Sequence, residues 1–220
     1  MIPLKDDNPA TTRPLVTLMV VGLCILVFLW QSSLSQESSQ AAIYALGFIP
    51  AVLFGNVELP AQLAWLPAPT TVLTSMFLHG GLLHLAGNML YLWIFADNIE
   101  DSMGHGRFLL FYVVCGVVAA FAQAAPELGS TIPMIGASGA VSGVLGAYVL
   151  LFPRARILVV VPLLVVFYTL RLPAFIVLGV WFVGQLLNSL AASEVGGGIA
   201  FRAHVGGFLA GLLLIKLFQR

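Results

Sequence analysis

Six long apolar runs, separated by short breaks except for the long segment 32–80, constrain this chain more than any other feature. They are Leu15–Gln31, Gly81–Ile99, Phe108–Ala125, Ser138–Phe152, Pro173–Leu190 and Ala200–Phe218. A helix needs about 20 apolar residues to cross a hydrocarbon core ~30 Å thick. The chain is 60% hydrophobic and 8% charged, where a soluble domain carries about 25% charged residues. So little charge cannot cover a water-facing surface. The expected class is an all-α polytopic membrane protein, a six-transmembrane-helix bundle forming one domain over residues 1–220. Asp6 and Asp7 dilute the positive charge before the first run. That run is also longer than a signal-peptide core, so it reads as a retained helix. A further apolar stretch, Ile157–Leu170, contains Pro162 and is bounded by arginines. It is short for a span and reads as an interfacial or extended connector.

Lysine and arginine placement sets the expected orientation. Lys5 and Arg13 precede the first run, and Arg107 separates the second from the third. Arg154, Arg156 and Arg171 lie between the fourth and fifth, and Lys216 and Arg220 end the chain. Only Arg202, of nine basic residues, falls in the opposite set of loops. Both termini are therefore expected in the cytoplasm. The formal net charge is zero without a basic cluster, so nothing points to nucleic acid. Cys24 and Cys115 sit inside apolar runs and read as packing thiols, not as a disulfide or metal pair.

In this orientation the second, fourth and sixth runs enter from the non-cytoplasmic side. Each carries polar residues at that end: His84 and Asn88, then Ser138, then His204. Polar side chains are costly in lipid and face the bundle interior or a wet cavity. Their shared depth implies one shared cavity. The fourth run, 15 residues from Ser138 to Phe152, would be roughly 22 Å long at ~1.5 Å per residue. It is too short to reach both surfaces, so Ser138 is expected at a submerged helix amino terminus. Free N–H groups and the helix dipole favour negative charge there. Gly136-Ala137-Ser138-Gly139 is by itself a weak signal, since Ser138 could be a helix cap. Gly139 and Gly143 face Gly207 and Gly211 at small-xxx-small spacing, which lets two helices approach closely. A Ser138–His204 pair at ~2.6–3.2 Å is then expected, with serine as nucleophile and histidine as base.

No carboxylate lies at the right depth for a triad. Asp97, Glu100 and Asp101 are at the cytoplasmic end, and Glu127 and Glu194 are in outer loops. A Ser–His dyad is the expectation, with His204 oriented by packing or by an uncharged group. His84 and Asn88 stand four residues apart on one helix face, which suits donors aimed at a developing oxyanion. Ser142, one turn after Ser138, reads as a small packing residue. A zinc site from His79, His84 and His204 is the weaker reading, because the spacing is not HExxH and it leaves the serine unexplained. His105 reads as a solvated loop residue.

HGGLLHLAGN (His79–Asn88), GASG (Gly136–Gly139) and AHVGG (Ala203–Gly207) together resemble the rhomboid intramembrane proteases. MIPLKDDNP at the start and ALGFIPAVLFG (Ala45–Gly55) look like the small prokaryotic members. The resemblance implies a six-helix core, Ser138 as nucleophile and His204 as base. It also implies an oxyanion hole of His84, Asn88 and the Ser138 N–H, with His79 as a supporting loop residue. No metal or cofactor is implied. The position of Ser142 is often an aromatic that stacks on the histidine, so that support must come from elsewhere here. The implied reaction is serine endopeptidase cleavage of single-pass transmembrane substrates near the extracytoplasmic face, with small residues before the scissile bond.

The expected setting is the lipid bilayer of a bacterial or archaeal plasma membrane. The fifth run and the outer loop 126–137 are expected to move aside as a gate. Gln185 and Asn188 in the fifth run add polar groups near its outer end. A transporter or channel is one alternative, disfavoured by apolar cytoplasmic halves in the fourth and sixth runs. A catalytically inactive client-binding relative is the other, disfavoured by an intact Ser138 and His204.

Overall fold

A computed structural model describes residues 1–163, 166–191 and 199–219; Glu194 and Arg220 lie outside them. The chain starts with β1 (Ile2–Asp6) and continues through α1 (Leu15–Ser33), α2 (Gln36–Leu46), α3 (Pro50–Leu53) and α4 (Ala68–Thr74). α5 (Leu82–Met103), α6 (His105–Ala124) and α7 (Ser138–Leu151) follow. The hairpin of β2 (Arg156–Leu163) and β3 (Val166–Pro173) leads into α8 (Ala174–Ala191) and α9 (Phe201–Phe218). Four helices, α1, α6, α8 and α9, are long and apolar enough to cross a membrane, and α7 is a shorter apolar helix.

The expectation of an all-α chain is corrected by a three-stranded antiparallel sheet in the order β1-β2-β3. The connector Ile157–Leu170 forms most of its hairpin. The β-branched run Ile157–Val161 favours strand, and alternation buries Ile157 and Val159 against the helices. Pro162 lies beyond the stretch paired with β1, which ends at Val160, so its missing N–H costs no bond on that edge.

The helices leave many large apolar residues exposed, as lipid-facing surfaces allow, while buried aromatics such as Phe95, Phe108, Phe111 and Tyr112 fill the bundle centre. In α1 the buried stripe is Val16, Thr17, Val20, Cys24 and Gln31, while Leu26 is 66% exposed. Without a hydrophobic force between helices in lipid, close packing and internal hydrogen bonds must hold them. At the base of the bundle the bonds come from α5. Pro14 leaves α1 without a side-chain cap, and fully buried Glu100 accepts from Val16 N–H at 2.9 Å and Thr17 N–H at 2.8 Å. His105, expected to be a solvated loop residue, is exposed as expected but begins α6 and also pairs through Nδ1 with Glu100. Asp101 accepts from Thr11 and Thr12, and Tyr148 of α7 donates its hydroxyl to Asp6 of β1. Burial pushes the Asp6 carboxyl above its ordinary range, against the lowering effect of the Tyr148 bond. Arg107 reaches the Gln219 carbonyl at 3.2 Å. Both ends of the chain thus gather at one end of the bundle.

α7 is the centre: every residue from Gly139 to Tyr148 is buried. Its glycines meet those of α9 backbone to backbone. A Cβ built on Gly207 would stand 2.1 Å from the Gly139 carbonyl oxygen, and one on Gly211 would stand 1.8 Å from that of Gly143. α8 is the opposite case. Its buried residues, Ala174, Val177 and Leu178, are confined to the end beside the sheet.

Candidate active site

At the end of the bundle away from the sheet, a cavity of about 1100 Å³ collects His84, Asn88, Ser138, Trp181 and His204 on its wall. These come from α5, α7, α8 and α9, whose amino or carboxyl ends converge there.

Ser138 is the first residue of α7, which has 14 residues and no side-chain cap. At ~1.5 Å per residue it spans roughly 21 Å. The loop before it must therefore run at depth, where irregular backbone needs internal partners. It has them. Phe48 N–H donates to the Met134 carbonyl at 3.0 Å, and Met134 N–H returns to Phe48 at 2.8 Å. Ala51 N–H reaches the Ser130 carbonyl at 2.9 Å, and Gly136 N–H reaches Ser75 at 2.8 Å. The segment between α1 and α5 is thus the scaffold of this loop. Gly136 has φ of 118°, a region costly for any residue with a Cβ. The space is also taken: a Cβ there would lie 2.7 Å from His84 Nε2 and 3.8 Å from Asn88 Nδ2.

His84 Nδ1 accepts from Gly80 N–H at 3.3 Å. The neutral ring therefore carries its proton on Nε2, beside Gly136. Asn88 is 7% exposed, and its Nδ2 is buried without a hydrogen-bond partner among the described residues. Two side-chain donors thus flank the glycine that leads into Ser138. Buried donors of this kind are a small minority in folded proteins, and this one is left free to bond a group that enters the cavity.

His204 sits in the first turn of α9, where Gln123 of α6 accepts from Ala203 N–H at 3.1 Å. Its Nδ1 lies 2.7 Å from Gln185 Oε1 on α8. Trp181, one turn earlier on α8, has its ring centroid 5.9 Å from that of His204, with the planes tilted by 33°. The aromatic nearest the imidazole from α8 is thus this tryptophan, not a residue at position 142. Ser142 donates its hydroxyl to the Ser138 carbonyl at 2.6 Å, a bond within α7. Among the described residues no hydrogen bond joins Ser138 Oγ to His204. Apo sites often show such contacts loosened.

His79 is 2% exposed and locked from both sides. Its N–H donates to Gln31 Oε1 at 3.0 Å and its Nδ1 to the Phe77 carbonyl at 3.2 Å. Its ring meets that of His84 edge-on at 5.2 Å. Burial, with His84 alongside, pushes its imidazole down to about 4. Among the described residues no three His, Cys, Asp or Glu side chains converge as a metal-binding group.

Trp181 and the pairing of Gln185 with His204 escape the sequence. Gln185 is visible as a polar residue in an apolar run, but its partner lies 19 positions away on another helix. No spacing rule links the two.

The Rhomboid domain family model matches residues 67–220, which include His84, Asn88, Ser138, Trp181, His204 and the glycine seam. The chain is 30% identical to the mitochondrial Rhomboid protein 1 of Saccharomyces cerevisiae over 191 residues, 78% of this chain and 51% of that protein. It is 35% identical to the Rhomboid protease GluP of Bacillus subtilis over 150 residues, 66% of this chain and 27% of that one. With the mitochondrial presenilin-associated rhomboid-like protein of Bos taurus the identity is 30% over 152 residues, 66% and 37% of the two chains. The chain thus spans about half or less of the length of these relatives. With the buried glycines of α7 and α9, the polar residues at the cavity and the apolar helices α6, α8 and α9 inside the matched segment, the chain is a multi-pass membrane protein that belongs to the rhomboid family.

Proposed function

We propose that this chain is an intramembrane serine endopeptidase acting through a Ser138–His204 dyad. The observation that carries the reading is the buried, unpartnered Asn88 amide beside Gly136 and His84 Nε2. Those donors stand at the amino end of α7, where N–H groups and the helix dipole also favour an anion.

In the proposed reaction His204 Nε2 accepts the Ser138 hydroxyl proton as Oγ bonds to the scissile carbonyl carbon. The carbonyl oxygen becomes an oxyanion held by His84, Asn88 and the Ser138 N–H. The C–N bond then breaks, and His204 returns its proton to the leaving amine. Water attacks the acyl-enzyme, giving its proton to His204, and the acid leaves as Oγ regains a proton. His79 and Gly136 shape the donor side, and Gly139, Gly207 and Gly211 hold the two reacting helices together. No cofactor or metal takes part, and no nucleic acid is bound.

The substrates are single-pass transmembrane proteins. A helical peptide bond is shielded by its own hydrogen bonds, so cleavable spans carry Gly, Pro or Ser near the scissile bond, with a small residue before it. Residues 1–220 form one domain in which α1, α5, α6, α7, α8 and α9 are the six spans. The sheet end and both termini face the cytoplasm, and the cavity faces the opposite side. The membrane is a bacterial or archaeal plasma membrane. This rests on the basic residues of the sheet end and the likeness to a Bacillus protein, and two relatives with mitochondrial names are the counterweight.

The test is cleavage of a transmembrane reporter by the purified chain in liposomes, beside Ser138→Ala and His204→Ala. The wild type should cut and label with a fluorophosphonate, and both variants should do neither. Equal cutting by all three would sink the reading.

A further inference from the structure

We infer that Gln185 is the positioning residue of His204, doing with an amide what a carboxylate does in a triad. The inference rests on the Ser138–His204 reading and deepens it. Gln185 Oε1 lies 2.7 Å from His204 Nδ1. An amide oxygen only accepts, so the neutral ring holds its proton on Nδ1 and keeps its Nε2 lone pair free. That is the tautomer a base needs toward a serine hydroxyl. Nε2 has no hydrogen-bond partner among the described residues, so Gln185 alone fixes the tautomer by a bond.

The other groups near the ring cannot take this part. From α7 come serine hydroxyls, and Ser142 is already spent on the Ser138 carbonyl. From α8 comes Trp181, whose ring lies 5.9 Å from the imidazole, tilted at 33°. The titratable and charged groups facing the cavity, among the described residues, are His84 and Tyr91 on α5, Glu127 in the loop before α7, and Arg202 on α9. None of them bonds Nδ1. An uncharged acceptor also suits this depth, because a carboxylate would carry a large desolvation cost in an apolar surround.

The experiment uses the full chain in liposomes with a transmembrane reporter, at several pH values, together with the rate of fluorophosphonate labelling and thermal unfolding. Gln185→Met keeps the length and removes the acceptor, Gln185→Ala removes both, and Gln185→Glu keeps the acceptor and adds charge. Gln185→Met and Gln185→Ala should lower kcat and labelling about 10- to 100-fold, up to the lower end of the ~10²–10⁴ that a positioned base contributes, with KM within about twofold. Gln185→Glu should label faster than Gln185→Met, and the acid limb of its pH profile should move to higher pH, because a carboxylate beside the ring favours its charged form. A packing role would move neither the pH limb nor the kcat-to-KM split. Wild-type kcat in Gln185→Met with Ser138→Ala inert overturns the inference and leaves the dyad standing. Wild-type cutting by Ser138→Ala or His204→Ala overturns the dyad itself. If Gln185→Met and Gln185→Ala melt early, Gln185→Glu decides: an unshifted acid limb overturns the inference.

Discussion

α9 meets α7 and α8 in different ways. Against α7 the contact is backbone on backbone, with Gly207 over the Gly139 carbonyl and Gly211 over that of Gly143. Against α8 it is made by the ends of large side chains. Phe182 stacks on Phe208 at 4.5 Å, Trp181 lies 6.1 Å from the same ring, and Gln185 reaches His204. A backbone contact has no rotamers through which to yield, whereas a side-chain contact can be made and unmade by rotation. The proposed nucleophile and base therefore share the rigid seam. The neighbouring aromatic and the partner of Nδ1 ride on α8, whose buried residues are confined to its sheet end. If α8 swings outward to admit a substrate, it would also release His204, and binding and readiness to react would be set by the same seat.

The largest effect is expected from breaking the rigid contact. Gly211→Val puts side-chain atoms where the Gly143 backbone already stands, 1.8 Å from the new Cβ. The seam must open, at a cost above the ~3 kcal/mol upper end of ordinary overpacking. Gly179→Val on α8 is the control, since a Cβ there meets nothing within 4 Å. Its cost should stay within about 0.5 kcal/mol. Unfolding titrations in mixed micelles compare the two, and equal midpoints would erase the distinction between the contacts.

The rigid half extends to the base of the bundle, and Glu100→Gln probes it. The variant keeps the shape but loses the charge that receives the α1 amides at 2.8–2.9 Å. Hydrogen bonds to charged groups contribute about 1.5–3 kcal/mol each, so stability should fall by roughly that amount. Ser138 labelling below the melting point should stay unchanged. Faster or slower labelling would mean that the base and the cavity are not independent.

These differences were unevenly legible in the sequence. The apolar runs, the glycine spacing at 139, 143, 207 and 211, and the shared depth of His84, Asn88, Ser138 and His204 are periodic or positional signals. They survive without coordinates. The sheet was only half legible: Ile157–Leu170 read as interfacial or extended, but its pairing with Ile2–Asp6 joins residues some 150 positions apart, which no local pattern specifies. His105 read as solvated and is exposed, but its bond to Glu100 was not legible because Glu100 is buried by helices distant in sequence. The α8 contribution to His204 was hidden for the same reason, and position 142 gave no hint of where its missing aromatic had gone.

Locking α8 sharpens the comparison further. Tyr91 of α5 and Trp181 of α8 have ring centroids 6.4 Å apart, close enough to join through a paired Tyr91→Cys, Trp181→Cys variant with a short bifunctional reagent. Relative to the same variant left open, cross-linking should lower cleavage of a transmembrane reporter by about tenfold or more, equivalent to ~1.4 kcal/mol. Fluorophosphonate labelling should hold within about twofold, since a small probe needs no helix displaced. Undiminished cleavage in the linked protein would remove α8 as the gate and leave loop 126–137, although that loop is tied to Phe48, Ala51 and Ser75.

The smallest effect is the most discriminating. Phe182→Ala removes the stacked pair with Phe208, worth about 0.5–1.5 kcal/mol. That loosens the outer half of α8 and leaves Gln185 and Trp181 in place. If entry limits turnover, cleavage of the transmembrane reporter should rise about 2- to 10-fold, the factor corresponding to that energy. Labelling of Ser138 should not rise, and it should fall slightly if α8 spends more time away from His204. Opposite signs in the two assays would tie entry and orientation to one helix. A parallel rise in both would mean that Phe182 acts on the chemistry directly, and the division between a rigid seam and a mobile cover would have to be redrawn.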